Sequence, residues 1–235
     1  MKKLFLLCFS ALTAATATAQ YYPDGRPIPP RKRNAYYNRP YTRTAQPAFP
    51  RYGNTYYGFR IGMGVATVSS DAPALDANNA KTGLNVGFVA GTQITPAAPI
   101  FLESGLSYIE KGGKSDYQGN RFTYALNYLE LPLLLKYKYH AAPQVTIEPF
   151  VGGYLAVGVG GKIKDYGDRK AYSSFDGDAP SSFRRFDGGL KVGCGVGFEM
   201  LYLGLSYDIG LANVGHYDFE DTRTGCLNLE VGVNF

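Results

Sequence analysis

The chain of 235 residues contains no tryptophan, two histidines and three cysteines. Cys8 falls in an apolar N-terminal stretch, which leaves Cys194 and Cys226. That excludes a disulfide-stapled scaffold and a cysteine-based zinc cluster. His140 and His216 lie far apart, without a Cys or carboxylate cluster at ligand spacing, so no metal site is expected. No stretch after residue 19 approaches the ~18 uninterrupted apolar residues of a membrane-crossing helix, which excludes a helical membrane protein. The abundances are equally uneven. There are 29 Gly, 20 Tyr and 14 Phe, and 29 of 235 is well above the ~7 % glycine of average proteins.

Met1-Lys2-Lys3 precedes an apolar run from Leu4 to Ala15, and Ala17-Thr18-Ala19 offers a small-x-small cleavage pattern. Residues 1–19 therefore read as a secretory signal peptide. Residues 20–55 hold seven of the 14 prolines and seven basic residues against one acid, Asp24. This tail and the two leader lysines hold more than the whole formal charge of +5, since the rest carries 15 basic and 18 acidic residues. The tail cannot bury enough apolar surface to offset its ordering entropy, so a disordered periplasmic segment is expected. Its Arg and Tyr residues could dock on an anionic or polymeric envelope partner, a periplasmic or secretion-system protein among the candidates, but a solvated linker is the favoured reading. Export excludes nucleic acid.

From residue 56 to 235 the sequence alternates with period two in eight segments. Tyr57, Phe59, Ile61, Met63 and Val65 oppose Arg60, Gly62, Gly64 and Ala66; Leu129, Leu131, Leu133 and Leu135 oppose Tyr128, Glu130, Pro132 and Lys136. Such segments read as strands with one apolar face. Their connections alternate between long and polar (about 69–81, 112–123, 164–185 and 213–222) and short (95–99, 140–143 and 199–201). Long outer loops, short periplasmic turns and an even strand count describe an eight-stranded antiparallel up-and-down transmembrane β-barrel.

Side-chain volume decides which face looks out. Eight strands enclose a space that side chains alone fill. The apolar face is mostly Leu, Val, Ile, Phe and Tyr, too bulky for that lumen, whereas the other face is mostly Gly, Ser and Asn. The apolar face must therefore meet lipid. Tyr57, Tyr137, Tyr139 and Phe198, with Phe235, map to the short-turn end as a periplasmic aromatic girdle.

Residues 128–137, YLELPLLLKY, closely resemble the YLEIPLLLKY-type signature of the outer-membrane β-barrel proteins of Bacteroidota, including the PorT family. Residues 101–112, FLESGLSYIEKG, are similar to that family's GL.Y..KG strand, and FVGGY (150–154), the Gly-rich stretch 187–198 and YDIGL (207–211) are also similar. The resemblance covers about 56–235 and implies a barrel in the cell outer membrane, with relatives that assist secretion. It also implies that Leu227, Leu229, Val231, Val233 and Phe235 form the signal read by the barrel-assembly machinery. It brings no catalytic residues.

The inner face is expected to carry Arg60, Lys136, Lys138 and Lys191 with Glu103, Glu130, Glu148, Asp208 and Glu230 as a paired polar network that fixes the closed barrel. The alternative is a conduction path. An inward Pro132 marks an expected bulge. Cys194 falls on the lipid face and Cys226 on the lumen face, so no disulfide joins them. His216 near Asp218, with a loop Ser, could imitate a hydrolase triad, although a bland exposed histidine is favoured. Loop 164–185 reads as a solvated loop; its Asp165, Asp168, Asp176 and Asp178 lack the full twelve-residue calcium pattern. No cofactor is expected. The reading is a non-enzymatic membrane anchor or assembly and secretion partner, with a porin-like conduit and an outer-membrane lipid-modifying barrel enzyme as alternatives.

Overall fold

The computed structural model describes residues 55–71, 75, 79–117, 120–166, 169–177, 181–217, 219 and 221–235. The leader and the tail up to residue 54 lie outside these, as do Asp168, Asp178 and Asp218. Eight long strands form the wall: β1 (Thr55–Ser70), β2 (Asn79–Gln93), β3 (Ile100–Tyr117), β4 (Asn120–Tyr137), β5 (Val145–Gly160), β6 (Phe186–Phe198), β7 (Leu201–Gly210) and β8 (Thr222–Asn234). Each pairs antiparallel with the next, and β8 returns to β1. At the seam, Gly58 lies across from Asn234 and Ser70 from Thr222. Tyr57 N–H donates to the Phe235 carbonyl at 2.9 Å, and Phe235 N–H donates back to the Tyr57 carbonyl at 2.9 Å. Closure leaves no sheet edge, which is the condition for strands to cross lipid.

The two faces separate as the period-two pattern requires. Phe88 is 65 % exposed, Met63 56 % and Leu133 54 %, while on the opposite face Arg60 is 3 % and Lys136 0 % exposed. Cys194 is exposed and Cys226 buried.

Three details differ from expectation. Residues 112–123 are not an open loop: β3 and β4 pair without interruption from Ser107–Glu130 up to Tyr117–Asn120. Thr, Tyr and Phe on this stretch favour strand over coil. At Pro132 no bulge forms. Pairing with β5 runs straight through Pro132–Tyr154, while on the β3 side it lapses between Ser104–Leu133 and Ser107–Glu130 with equal residue numbers on both strands. Proline lacks its N–H on one side only, so one ladder opens and the other persists; Ser104 Oγ donates to the Pro132 carbonyl at 2.8 Å. The bulge lies instead between Asn127 and Tyr128 on the β5 side.

The third difference is the loop after β5. It builds a hairpin, Lys162–Tyr166 with Arg169–Ser173, whose first strand continues the sheet beside β4 through Thr123–Lys164 and Tyr124–Ile163. Ser181–Phe183 pairs with Gly215–Tyr217 as a separate small sheet. Phe175 and Phe183 are buried, so this segment is only partly solvated. Apolar side chains on a loop that sits above a barrel mouth find cover by folding into it.

Candidate functional site

The feature that carries functional information is the lumen. It is filled in three layers. Nearest the chain ends, Lys136 Nζ lies 2.8 Å from Glu103 and 3.5 Å from Glu148, and Lys138 Nζ lies 3.5 Å from Glu148. Tyr56 donates its hydroxyl to Glu103 at 2.5 Å. The Arg60 guanidinium donates to Asn234 at 2.6 Å and stacks 3.9 Å over the Tyr202 ring. Lys138 sits 3.6 Å over the Tyr56 ring. These cations exchange hydration for carboxylates and ring faces, which is the arrangement a buried charge needs.

The middle layer holds Lys191 between Glu130 (2.6 Å) and Asp208 (3.1 Å). Lys111 lies 3.1 Å from Asp187, 3.7 Å from Glu130 and 4.0 Å from Asp208. Thr224 donates to Asp187 at 2.8 Å, Asn228 to Asp208 at 3.1 Å, and Asn85 to Glu230 at 2.6 Å. Of the nine charges expected on the inner wall, eight are buried and Glu230 is half-buried. Lys111 and Asp187, both 0 % exposed, were missed. Their signal was parity: Lys111 continues the inward series 101, 103 and 109, and Asp187 precedes 191 by an even step.

The third layer is apolar. Tyr124 stacks on Phe183 at 5.3 Å, Phe183 meets Phe219 tilted at 5.1 Å, and Tyr128 meets Phe175 edge-on at 5.6 Å. Ile109, Leu126, Ile163 and Val214 are fully buried around them. The inner glycines explain how rings fit into so narrow a space. A Cβ on Gly91 would enter the Tyr56 ring, one on Gly195 or Gly204 the Tyr202 ring, and one on Gly158 the Phe175 ring. The small inner face is thus a set of seats for aromatic side chains, not merely an allowance for backbone.

Outside the lumen, Asp218 lies beyond the described residues, and the described candidates Ser182 and His216 meet as a pair. Ser182 Oγ and His216 Nδ1 are 3.3 Å apart across the small sheet, where Ser182 and His216 are register partners. Ser182 is 0 % exposed, so its hydroxyl has no approach for a lipid ester. Among the described residues no group of three or more His, Cys, Asp or Glu is arranged to hold a metal. Tyr57, Tyr137, Tyr139 and Phe198 are exposed at the short-turn end, as is Phe235, and Leu227, Leu229, Val231 and Val233 point outward along β8.

A closed antiparallel wall, apolar outside and charged within, defines an outer-membrane β-barrel. The model of the outer membrane protein beta-barrel domain family matches residues 44–215, and the chain belongs to that family and resides in the outer membrane. Among solved structures, the chain is similar to Neisserial surface protein A at 16 % identity and TM-score 0.44, covering 78 % of this chain and 98 % of that one. It is similar to OprG from Pseudomonas aeruginosa at 10 % identity and TM-score 0.45, covering 77 % and 95 %. A major outer membrane protein from Thermus thermophilus is similar at 15 % identity and TM-score 0.44, covering 76 % and 99 %. No curated protein matches the chain in sequence.

Proposed function

We propose that this protein is a non-enzymatic, non-conducting membrane anchor of the PorT-like type, which holds its extracellular loops and its basic tail in place for other envelope components. The observation that supports this reading is the three-layer filling of the lumen: Lys136 with Glu103 and Glu148, Lys111 and Lys191 among Glu130, Asp187 and Asp208, and the rings above them. A conduit needs a continuous wet path, and paired charges sealed under an aromatic layer leave none. The YLELPLLLKY stretch supports the PorT-like assignment, and the outward apolar series ending in Phe235 suits recognition by the barrel-assembly machinery. In this reading residues 20–55 engage a periplasmic or secretion-system protein. Crosslinking from the native envelope, comparing full-length protein with a chain lacking 20–55, tests it: a partner should be captured by the first and lost with the second. Identical crosslinks from both would refute the role of the tail.

A further inference from the structure

The sheet does not stop where the apolar wall stops. On β4 the outward series runs Tyr137, Leu135, Leu133, Leu131 and Leu129 and then turns polar. From Leu129 to Thr123 is six residues, about 20 Å along a strand and about 15 Å of height at a 35–45° tilt. At that height Lys114 of β3, Thr123 of β4 and Lys164 of the adjoining hairpin stand side by side in register. Their inward neighbours Ser115, Phe122 and Ile163 are buried, while Lys114 and Lys164 are exposed on the outer surface with Lys162 two residues below. Neighbouring strands are about 4.8 Å apart and alternate residues about 6.6 Å, so three ammonium groups cover a patch roughly 10 Å across. Arg121 is adjacent but stands across from Asp116, and among the residues whose exposure is described Asp165 is the exposed acid beside Lys164. Among the described residues, the exposed surface of the short-turn end presents Glu199 and His140 and no lysine.

Lipid-side charge at this height meets headgroups, not acyl chains. We propose that Lys114, Lys162 and Lys164 form a docking site for the phosphate groups of an outer-leaflet glycolipid. The flat sheet suits it, because three flexible point charges can share two phosphates without a shaped pocket. Phe122 and Ile163, packed behind the lysines in the apolar layer, keep the strands from shifting as the headgroup moves. The inference rests on the long-loop end facing outward; it is independent of any partner of the tail.

The test uses the full-length chain folded in micelles, titrated with bisphosphorylated lipid A and with the same glycolipid stripped of both phosphates. The wild type should bind the phosphorylated form at least tenfold more tightly at low salt, with the advantage shrinking as salt screens it. The K114Q/K162Q/K164Q variant, its fold checked by heat-modifiable gel mobility, should lose about a hundredfold, near fivefold per lysine. Equal binding of the two glycolipids, or undiminished binding by the variant, overturns the proposal. Dextran sulfate binding through these lysines, without lipid binding, overturns it in favour of a soluble polyanion. Lys114→Cys in a cysteine-free background should label with an impermeant maleimide on intact cells; failure there would instead overturn the orientation.

Discussion

Lys111 on β3 and Asp187 on β6 meet across the lumen at 3.1 Å, although two strands, β4 and β5, lie between them around the wall. The pair therefore ties opposite sides of the barrel together. Neither group has water to fall back on, since both are 0 % exposed.

Removing Asp187 leaves Lys111 with the longer contacts to Glu130 at 3.7 Å and Asp208 at 4.0 Å. Asp187→Asn should cost about 3–5 kcal/mol in urea unfolding from vesicles, because the Lys111 charge loses its nearest carboxylate. Lys111→Met with Asp187→Asn should cost less than the sum of the single changes, since no lone charge remains at that pair. Additive losses would show that the pair is not coupled.

Glu130 shares its two oxygens between Lys191 at 2.6 Å and Lys111 at 3.7 Å. Glu130→Gln should lower the temperature at which the barrel loses its compact gel mobility, without opening a conductance. Unchanged heat-modifiability would contradict the bracing role.

Gly112 and Gly161 flank β4 on its two sides, with φ of 135° and 142°. A Cβ on Gly112 would collide with the Tyr124 carbonyl, and one on Gly161 with the Ala125 carbonyl. Only glycine holds both the backbone and the close approach there. Gly161→Ala should lift the 162–175 segment, where Ser174 Oγ donates to the Ala125 carbonyl at 2.7 Å. Protease added to intact cells should then cut this loop faster, at a stability cost of about 1–3 kcal/mol. Wild-type cleavage rates would refute the hinge.

Cys194 is exposed on β6 and Cys226 buried on β8, with β7 between them. An apolar thiol-reactive fluorophore should react with Cys194 and be quenched by brominated acyl chains, while Cys226 should react only after unfolding. Quenching at Cys226 in the folded barrel would reverse the two faces.

The wall is legible in the sequence because a strand's period is two and a narrow lumen admits only one face. The alternation around Leu129–Leu135, read against side-chain volume, orients every long strand. What the pattern hides lies at the extracellular ends. There β3 continues through residues 111–117 with Lys, Gly, Ser and Asp as its side chains up to residue 116, so hydropathy marks no boundary. The burial of Phe175 and Phe183 depends on a loop folding back over the mouth, a tertiary event with no local signature. Pro132 reads as a fault, but placing that fault on one ladder requires knowing which neighbour its missing N–H would have served.

A lumen braced by buried ion pairs and sealed by rings should pass no ions. Planar-bilayer recording on the full-length chain tests it most directly. Insertion should leave the membrane without steady, ohmic steps, and Phe175→Ala with Phe183→Ala should stay silent because the two ionic layers beneath remain. Discrete wild-type conductance steps that scale with salt would contradict the account.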